Sequence, residues 1–86
     1  MSGRQPWTRQ QLLVACYLYC QLPFGKLHSR NPDIIKFSQL IGRTPSALAM
    51  KLTNLASLDP IILSSGRKGL QGASAADRAI WQEMVT

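Results

Sequence analysis

Two closely spaced helix-start signals limit the folds open to this chain more than any other feature of its sequence. Asn31 precedes Pro32, Thr44 precedes Pro45, and Gly42 lies between the two pairs. Asn and Thr accept hydrogen bonds from the unpaired amides of a helix start, and proline is pre-organised for the first helical turn. Because glycine readily ends a helix, the pattern predicts one helix over residues 32–41 and another that begins within three residues of its end. A turn that tight makes the two helices cross.

Two further helices are predicted outside this pair. Thr8 and Gln11 form a capping box that starts a helix over residues 9–21, and Ser74 with Asp77 starts one that reaches Met84. Residues 59–73 are rich in glycine and predict a loop, with a short extended piece as an alternative at 61–63. The predicted fold class is all-α, a small four-helix domain that contains a helix-turn-helix-like unit.

The middle pair of helices has the pattern of that unit. Ser38 is the small residue at the crossing, Gly42 makes the turn, and Leu48 heads an inward stripe of leucines. The remaining sides of the second helix carry groups suited to phosphates and base edges, namely Thr44, Ser46, Lys51 and Asn54. A merely solvated helix face would show the same residues. Met50 is expected to pack rather than to make contacts.

Charge narrows the class of partner. Ten Lys and Arg against four Asp and Glu give a net charge of +6 on 86 residues. A net charge this high is typical of small domains that bind nucleic acids, although an acidic protein or an anionic membrane would also attract such a domain. The residues expected to contact DNA are Lys26, Asn31, Arg43, Thr44, Ser46, Lys51, Asn54, Arg67 and Lys68. The last two lie in a glycine-rich loop whose amides could approach a phosphate.

Catalytic and metal sites are not expected. Cys16 and Cys20 lie on one face of a predicted helix and are interpreted as buried thiols, since one histidine cannot complete a zinc site with them. The four acidic residues are scattered along the chain. We therefore expect a binding domain, not an enzyme, that needs no cofactor. Without a signal peptide or an apolar run long enough to span a membrane, we expect it in the cytoplasm.

The segment "LPFGKLHSRNPDI", residues 22–34, brings aromatic, imidazole, basic and proline residues closer together than any other part of the chain. His28, Ser29, Arg30 and Asn31 are consecutive donors before a helix start, which favours an anion. The residues just upstream are apolar and rigid, and would suit a softer group such as the sulfur of a phosphorothioate linkage or the methyl group of a base. The alternative is that Leu22, Pro23 and Phe24 simply cover the core at a helix end.

The blocks "LPFGKLHSRNP", "GRTPSALAMKL" and "GRKGLQGASAADRAIW" resemble the N-terminal region of a bacterial family of HNH-type restriction endonucleases, over about residues 6–82. The resemblance implies that residues 1–86 are a single DNA-recognition domain of a type IV, modification-dependent restriction endonuclease whose catalytic domain is absent here. It points to the sulfur-binding domains, which hold phosphorothioated DNA in a nonpolar cavity beside His and Arg. The matching residues are Pro23, Phe24, Gly25, Leu27, His28, Ser29 and Arg30.

The expected partner is therefore modified double-stranded DNA, with no membrane involved, and the full-length protein could act as a dimer in bacterial defence. Two alternatives stay open. The domain could read unmodified or base-methylated DNA through the helix-turn-helix unit, or it could bind a protein through the apolar surface near Phe24, Met50 or Trp81.

Overall fold

The computed structural model describes residues 6–66 and 72–85, and their fold is all-α, with no strand among them. In chain order the elements are α1 (Arg9–Gln21), a 3-10 helix (Phe24–Lys26), α2 (Pro32–Leu40), α3 (Pro45–Ala56), α4 (Pro60–Ser64) and α5 (Ala75–Val85). None of the helices in this part of the chain is long and apolar enough to cross a membrane.

Helix caps explain why the long helices begin where the sequence predicts. Thr8 accepts the amide of Gln11 at 3.1 Å, and the Gln11 side chain accepts the amide of Thr8 at 2.9 Å. Thr44 accepts the amide of Ala47 at 3.1 Å. Gly42 has a φ of +71°, a backbone conformation that L side chains rarely adopt, which is why glycine suits the turn between α2 and α3.

Residues 60–64 are helical, so the loop and the extended piece expected there are wrong. Asp59 accepts the amide of Ile61 at 2.9 Å, and Pro60 occupies the first turn of α4. This is the same cap-plus-proline signal that starts α2 and α3. The described residues therefore contain five α-helices rather than four, and residues 67–71 of the predicted loop, which include Arg67 and Lys68, lie outside them.

The core is built around α3, which packs against α1, α2 and α5. Leu48, Leu52 and Leu55 are all completely buried, as the inward stripe predicts. Each buried leucine contributes about 1.5–3 kcal/mol relative to an exposed one. Ser38 is also completely buried and donates its hydroxyl to the carbonyl of Ile35 at 2.7 Å. A small, satisfied residue at this position lets α2 and α3 approach closely.

The two cysteines differ, so the expectation that both are buried is wrong for one of them. Cys16 is completely buried, and burial raises the pKa of its thiol to about 12, with smaller contributions from Cys20 and Asp77. Cys20 is exposed, one turn further along α1. Cys20 therefore lies beyond the edge of the face of α1 that meets the core, which is formed by Leu12, Ala15, Cys16, Leu18 and Tyr19.

Candidate nucleic-acid interface

Residues 26–31, called the basic turn below, connect the 3-10 helix to α2. The amide of His28 donates to the carbonyl of Lys26 at 3.0 Å, and the amide of Asn31 donates to the carbonyl of His28 at 3.1 Å. The buried Asn31 side chain donates to the Lys26 carbonyl at 3.0 Å, and Leu27 is buried in the core. Lys26, His28 and Arg30 are exposed. The turn thus presents three cationic or imidazole side chains from a tightly hydrogen-bonded backbone.

The basic turn leads directly into the N-terminus of α2. Asn31 caps this helix by accepting the amide of Asp33 at 2.8 Å. Lys36 is exposed on the second turn of α2, and Asp33 is the acidic residue nearby. Because side chains tilt toward the N-terminus of their helix, Lys36 leans toward the basic turn. The positive end of the helix dipole adds to this cationic surface.

Most of the protein's negative charge is engaged in internal contacts. Asp59 accepts the hydroxyl of Tyr19 at 2.7 Å, and burial together with this hydrogen bond raises the pKa of Tyr19. Glu83 pairs with Arg9 across the exposed surface, which lowers the pKa of Glu83 and raises that of Arg9. Asp77 is completely buried against Lys51. These three carboxylates therefore do little to offset the cations of the basic turn.

A second group of cations surrounds Trp7 and is called the Trp7 cluster, comprising Trp7, Arg43, Lys51 and Asp77. The Arg43 guanidinium lies 4.8 Å and the Lys51 ammonium 5.1 Å from the centre of the Trp7 ring. Arg43 donates to the Pro6 carbonyl at 2.8 Å and to Gln11 at 3.0 Å. Lys51 donates to both carboxylate oxygens of Asp77, at 3.0 and 3.1 Å. Both cations, expected to contact DNA, are thus held by the protein.

The other residues expected to contact DNA also divide between exposed and internal positions. Ser46 and Thr44 are exposed, although Thr44 caps α3. Asn31 is buried as the cap of α2. Asn54 was expected on the polar side of α3, but it is buried, and its side-chain oxygen has no hydrogen-bond partner among residues 6–66 and 72–85. Arg67 and Lys68 lie outside the described residues.

An exposed stripe on α3 lies opposite the buried leucines and was not recognised from the sequence. It consists of the exposed Ser46 and Met50 and the half-buried Thr53, at the i, i+4, i+7 spacing of one helix face. Met50 is 56% exposed, so the expectation that it packs is wrong. Thr53 donates to the Met50 carbonyl at 2.8 Å. The sequence does contain this pattern. Each residue of the stripe lies two positions before one of the buried leucines, Leu48, Leu52 and Leu55, and residues two apart on a helix do not share a face.

The seven residues proposed as a pocket for a modified linkage do not line one hollow. Pro23 and the half-buried Phe24 line an apolar hollow together with Tyr19, Ile61 and Trp81. Leu27 is part of the core, and Gly25, His28 and Arg30 are exposed, with Ser29 half-buried. The residues that line the hollow include none from 25–30. The apolar part and the donor part of the segment therefore face different surroundings.

Over residues 6–66 and 72–85, no group of three or more His, Cys, Asp or Glu side chains is placed to hold a metal ion. Comparison with known proteins gave no relative: the chain matches no protein-family model, no curated protein and no solved structure. The geometry and charge described above are therefore the basis for assigning a function.

Proposed function

We propose that this chain is a double-stranded DNA-binding domain in which α2, the turn at Gly42 and α3 act as a helix-turn-helix unit. The observation that carries the proposal is the separation of charge. Asp59, Asp77 and Glu83 are engaged in internal contacts. Between residues 26 and 36, by contrast, Lys26, Arg30 and Lys36 are exposed beside a single exposed carboxylate, that of Asp33. A concentrated cationic surface on a chain of net charge +6 suits a polyanion.

The basic turn would supply the phosphate contacts. Lys26 and Arg30 flank the start of α2, where helix amides and dipole also favour an anion. In helix-turn-helix proteins the first helix of the unit crosses the DNA backbone, which is the position this proposal gives to α2. Phosphate contacts of this kind fix register and affinity, but carry no sequence information directly.

The exposed stripe of α3 would face the base edges in the major groove. Ser46 can donate or accept a hydrogen bond, and Met50 offers an apolar surface that suits the methyl group of thymine. Thr44 lies at the start of the same helix. Lys51 is not part of this interface, because it is paired with Asp77. Asn54 is not part of it either, because it is buried.

The finer hypothesis is that the domain reads a phosphorothioate linkage as part of a modification-dependent restriction enzyme. It rests on the resemblance described above and on the exposure of His28 and Arg30, which could donate to a modified linkage. Leu27 is buried and Phe24 lines a different hollow, so the sulfur would have to meet the exposed Gly25 rather than an apolar cavity.

Titration of the chain with two short duplexes of identical sequence, one carrying a single phosphorothioate, tests both levels of the proposal. We expect both duplexes to bind at about 50 mM salt and both affinities to fall steeply toward about 200 mM. A preference for the modified duplex that disappears in His28→Ala and Arg30→Ala would support the finer hypothesis.

Equal binding of the two duplexes would exclude phosphorothioate recognition and leave DNA binding intact. A methylated duplex of the same sequence then tests whether a modified base is read instead. Absence of binding to every duplex at low salt, where the electrostatic attraction is strongest, would refute DNA binding altogether.

A further inference from the structure

Helix α4 places large apolar side chains on the surface rather than in the core. Its sequence is PIILS, and no residue of this helix is buried. Ile61 is 76% exposed and Leu63 is 47% exposed. Exposed apolar groups of this size are unusual when clustered, because each one costs free energy in water. Their position is therefore better explained by contact with another molecule than by folding.

Two adjoining hollows extend this apolar surface along α5, and together with α4 they form what we call the α4–α5 groove. Pro60 and Trp81 line both hollows. The first is lined further by Phe24, Ile61 and Met84. Trp81 separates the two hollows, and its ring packs edge-on against the Tyr19 ring, with the ring centres 5.7 Å apart. A row of apolar side chains from another molecule could pack on both sides of the Trp81 ring.

The second hollow of the α4–α5 groove, which is lined by Arg78 and by no carboxylate, is positively charged. Arg78 is exposed and lines the second hollow, and its guanidinium makes no ion pair or hydrogen bond with the described residues. Asp59 is the one carboxylate among the residues lining the two hollows, and both of its oxygens are engaged: one accepts the hydroxyl of Tyr19, the other the amide of Ile61. An incoming carboxylate would therefore meet an uncompensated guanidinium.

We propose that the α4–α5 groove docks an acidic amphipathic helix of a partner protein. Apolar residues on one face of that helix would pack against Ile61 and on both sides of Trp81, and a carboxylate beside them would pair with Arg78. A second copy of this chain is a poor occupant. It carries the same net charge of +6, and Asp59, Asp77 and Glu83 are engaged in contacts of their own.

The α4–α5 groove is separate from the proposed DNA interface, since none of the residues lining the groove belongs to the basic turn or to α3.

Selection of random peptides of about 16 residues, long enough for four helical turns, against the intact chain tests this proposal. We expect the enriched peptides to be acidic and to carry apolar residues at helical spacing. The most enriched peptide is then titrated against the variants by fluorescence anisotropy. Ile61→Ser and Arg78→Glu should each weaken its binding at least about fivefold.

Leu40→Ser is the matched control, because Leu40 is 69% exposed on α2 and does not line the groove. Its binding of the peptide should stay within about twofold of the unsubstituted chain. A peptide in which lysine replaces the acidic residues should bind Arg78→Glu better than it binds the unsubstituted chain. DNA should leave peptide binding within about twofold at 150 mM salt, where exposed charges are largely screened beyond about 8 Å.

Three results would overturn the proposal. The first is no enrichment, or enrichment of peptides that are basic or lack apolar periodicity. The second is equal weakening by Leu40→Ser and Ile61→Ser, which would indicate general apolar adhesion. The third is full displacement of the peptide by DNA together with loss of DNA binding in Arg78→Glu, which would make the groove part of the nucleic-acid surface.

Discussion

The basic turn and the Trp7 cluster contain the same kinds of cation, but their surroundings give them opposite roles. In the Trp7 cluster, Lys51 is 11% exposed and donates to a carboxylate that is 1% exposed. In the basic turn, Lys26 and Arg30 project from a short hydrogen-bonded connection and are exposed. A basic residue is thus available to a polyanion only where the fold brings no carboxylate to it. The net charge of a chain does not reveal which residues these are.

Asp77→Ala should produce the largest effect in the Trp7 cluster. It leaves the Lys51 ammonium without its partner and removes the capping box of α5, in which Asp77 and Ser74 exchange hydrogen bonds at 3.0 and 3.1 Å. We expect a loss of about 3–5 kcal/mol in the free energy of unfolding, measured by urea denaturation. Asp33→Ala, which removes an exposed carboxylate from the first turn of α2, should cost less than about 1 kcal/mol. Similar losses in the two variants would contradict the structural role given to Lys51.

Trp7→Ala should have an intermediate effect. The ring carries two cations on or near its face and packs against the core, so its removal forfeits both cation–π contacts and some apolar burial. We expect a loss of about 2 kcal/mol in the free energy of unfolding. Tyr17→Ala serves for comparison, because Tyr17 is 58% exposed and is an aromatic residue outside the cluster. A smaller loss from Trp7→Ala than from Tyr17→Ala would show that the ring does not organise these cations.

Met50→Ala should have the smallest effect on stability, and we expect it to change base recognition instead. A half-exposed side chain on a helix surface contributes within about 0.5 kcal/mol to folding. If the exposed stripe of α3 faces the bases, discrimination at one base-pair position, typically about 1 kcal/mol or more, should weaken. Binding to a panel of duplexes with single base-pair changes measures this. An unchanged pattern of base preference would remove Met50 from the interface.

The sequence predicts the helices well because their boundaries are encoded locally. Thr8, Asn31, Thr44 and Ser74 each supply the side chain that accepts an amide within the next three residues. The same signal at Asp59 was outweighed by the glycines that follow it, and so α4 was missed. In that segment the local cap was a better guide than the composition of the whole stretch.

The roles of the charged and polar residues could not be predicted in the same way. Lys51 meets Asp77, which lies 26 residues later in the chain, and Arg43 meets Gln11, 32 residues earlier. Likewise, the surroundings of Phe24 come from α4 and α5 rather than from the donors that follow it in sequence. Such pairings depend on how the helices pack, and the spacing of residues within one helix carries no information about them.

We propose that the exposed cations of the basic turn, and not those of the Trp7 cluster, bind DNA. The most direct test is the slope of log affinity against log salt concentration for one duplex, compared between the unsubstituted chain and the double variant Lys26→Ala/Arg30→Ala. Each phosphate contact contributes about −0.9 to this slope, so the double variant should be shallower by about 2. Arg43→Ala, which removes a cation of the Trp7 cluster that donates to the Pro6 carbonyl and to Gln11, should leave the slope nearly unchanged. An identical slope in the double variant, or a change just as large in Arg43→Ala, would contradict this assignment.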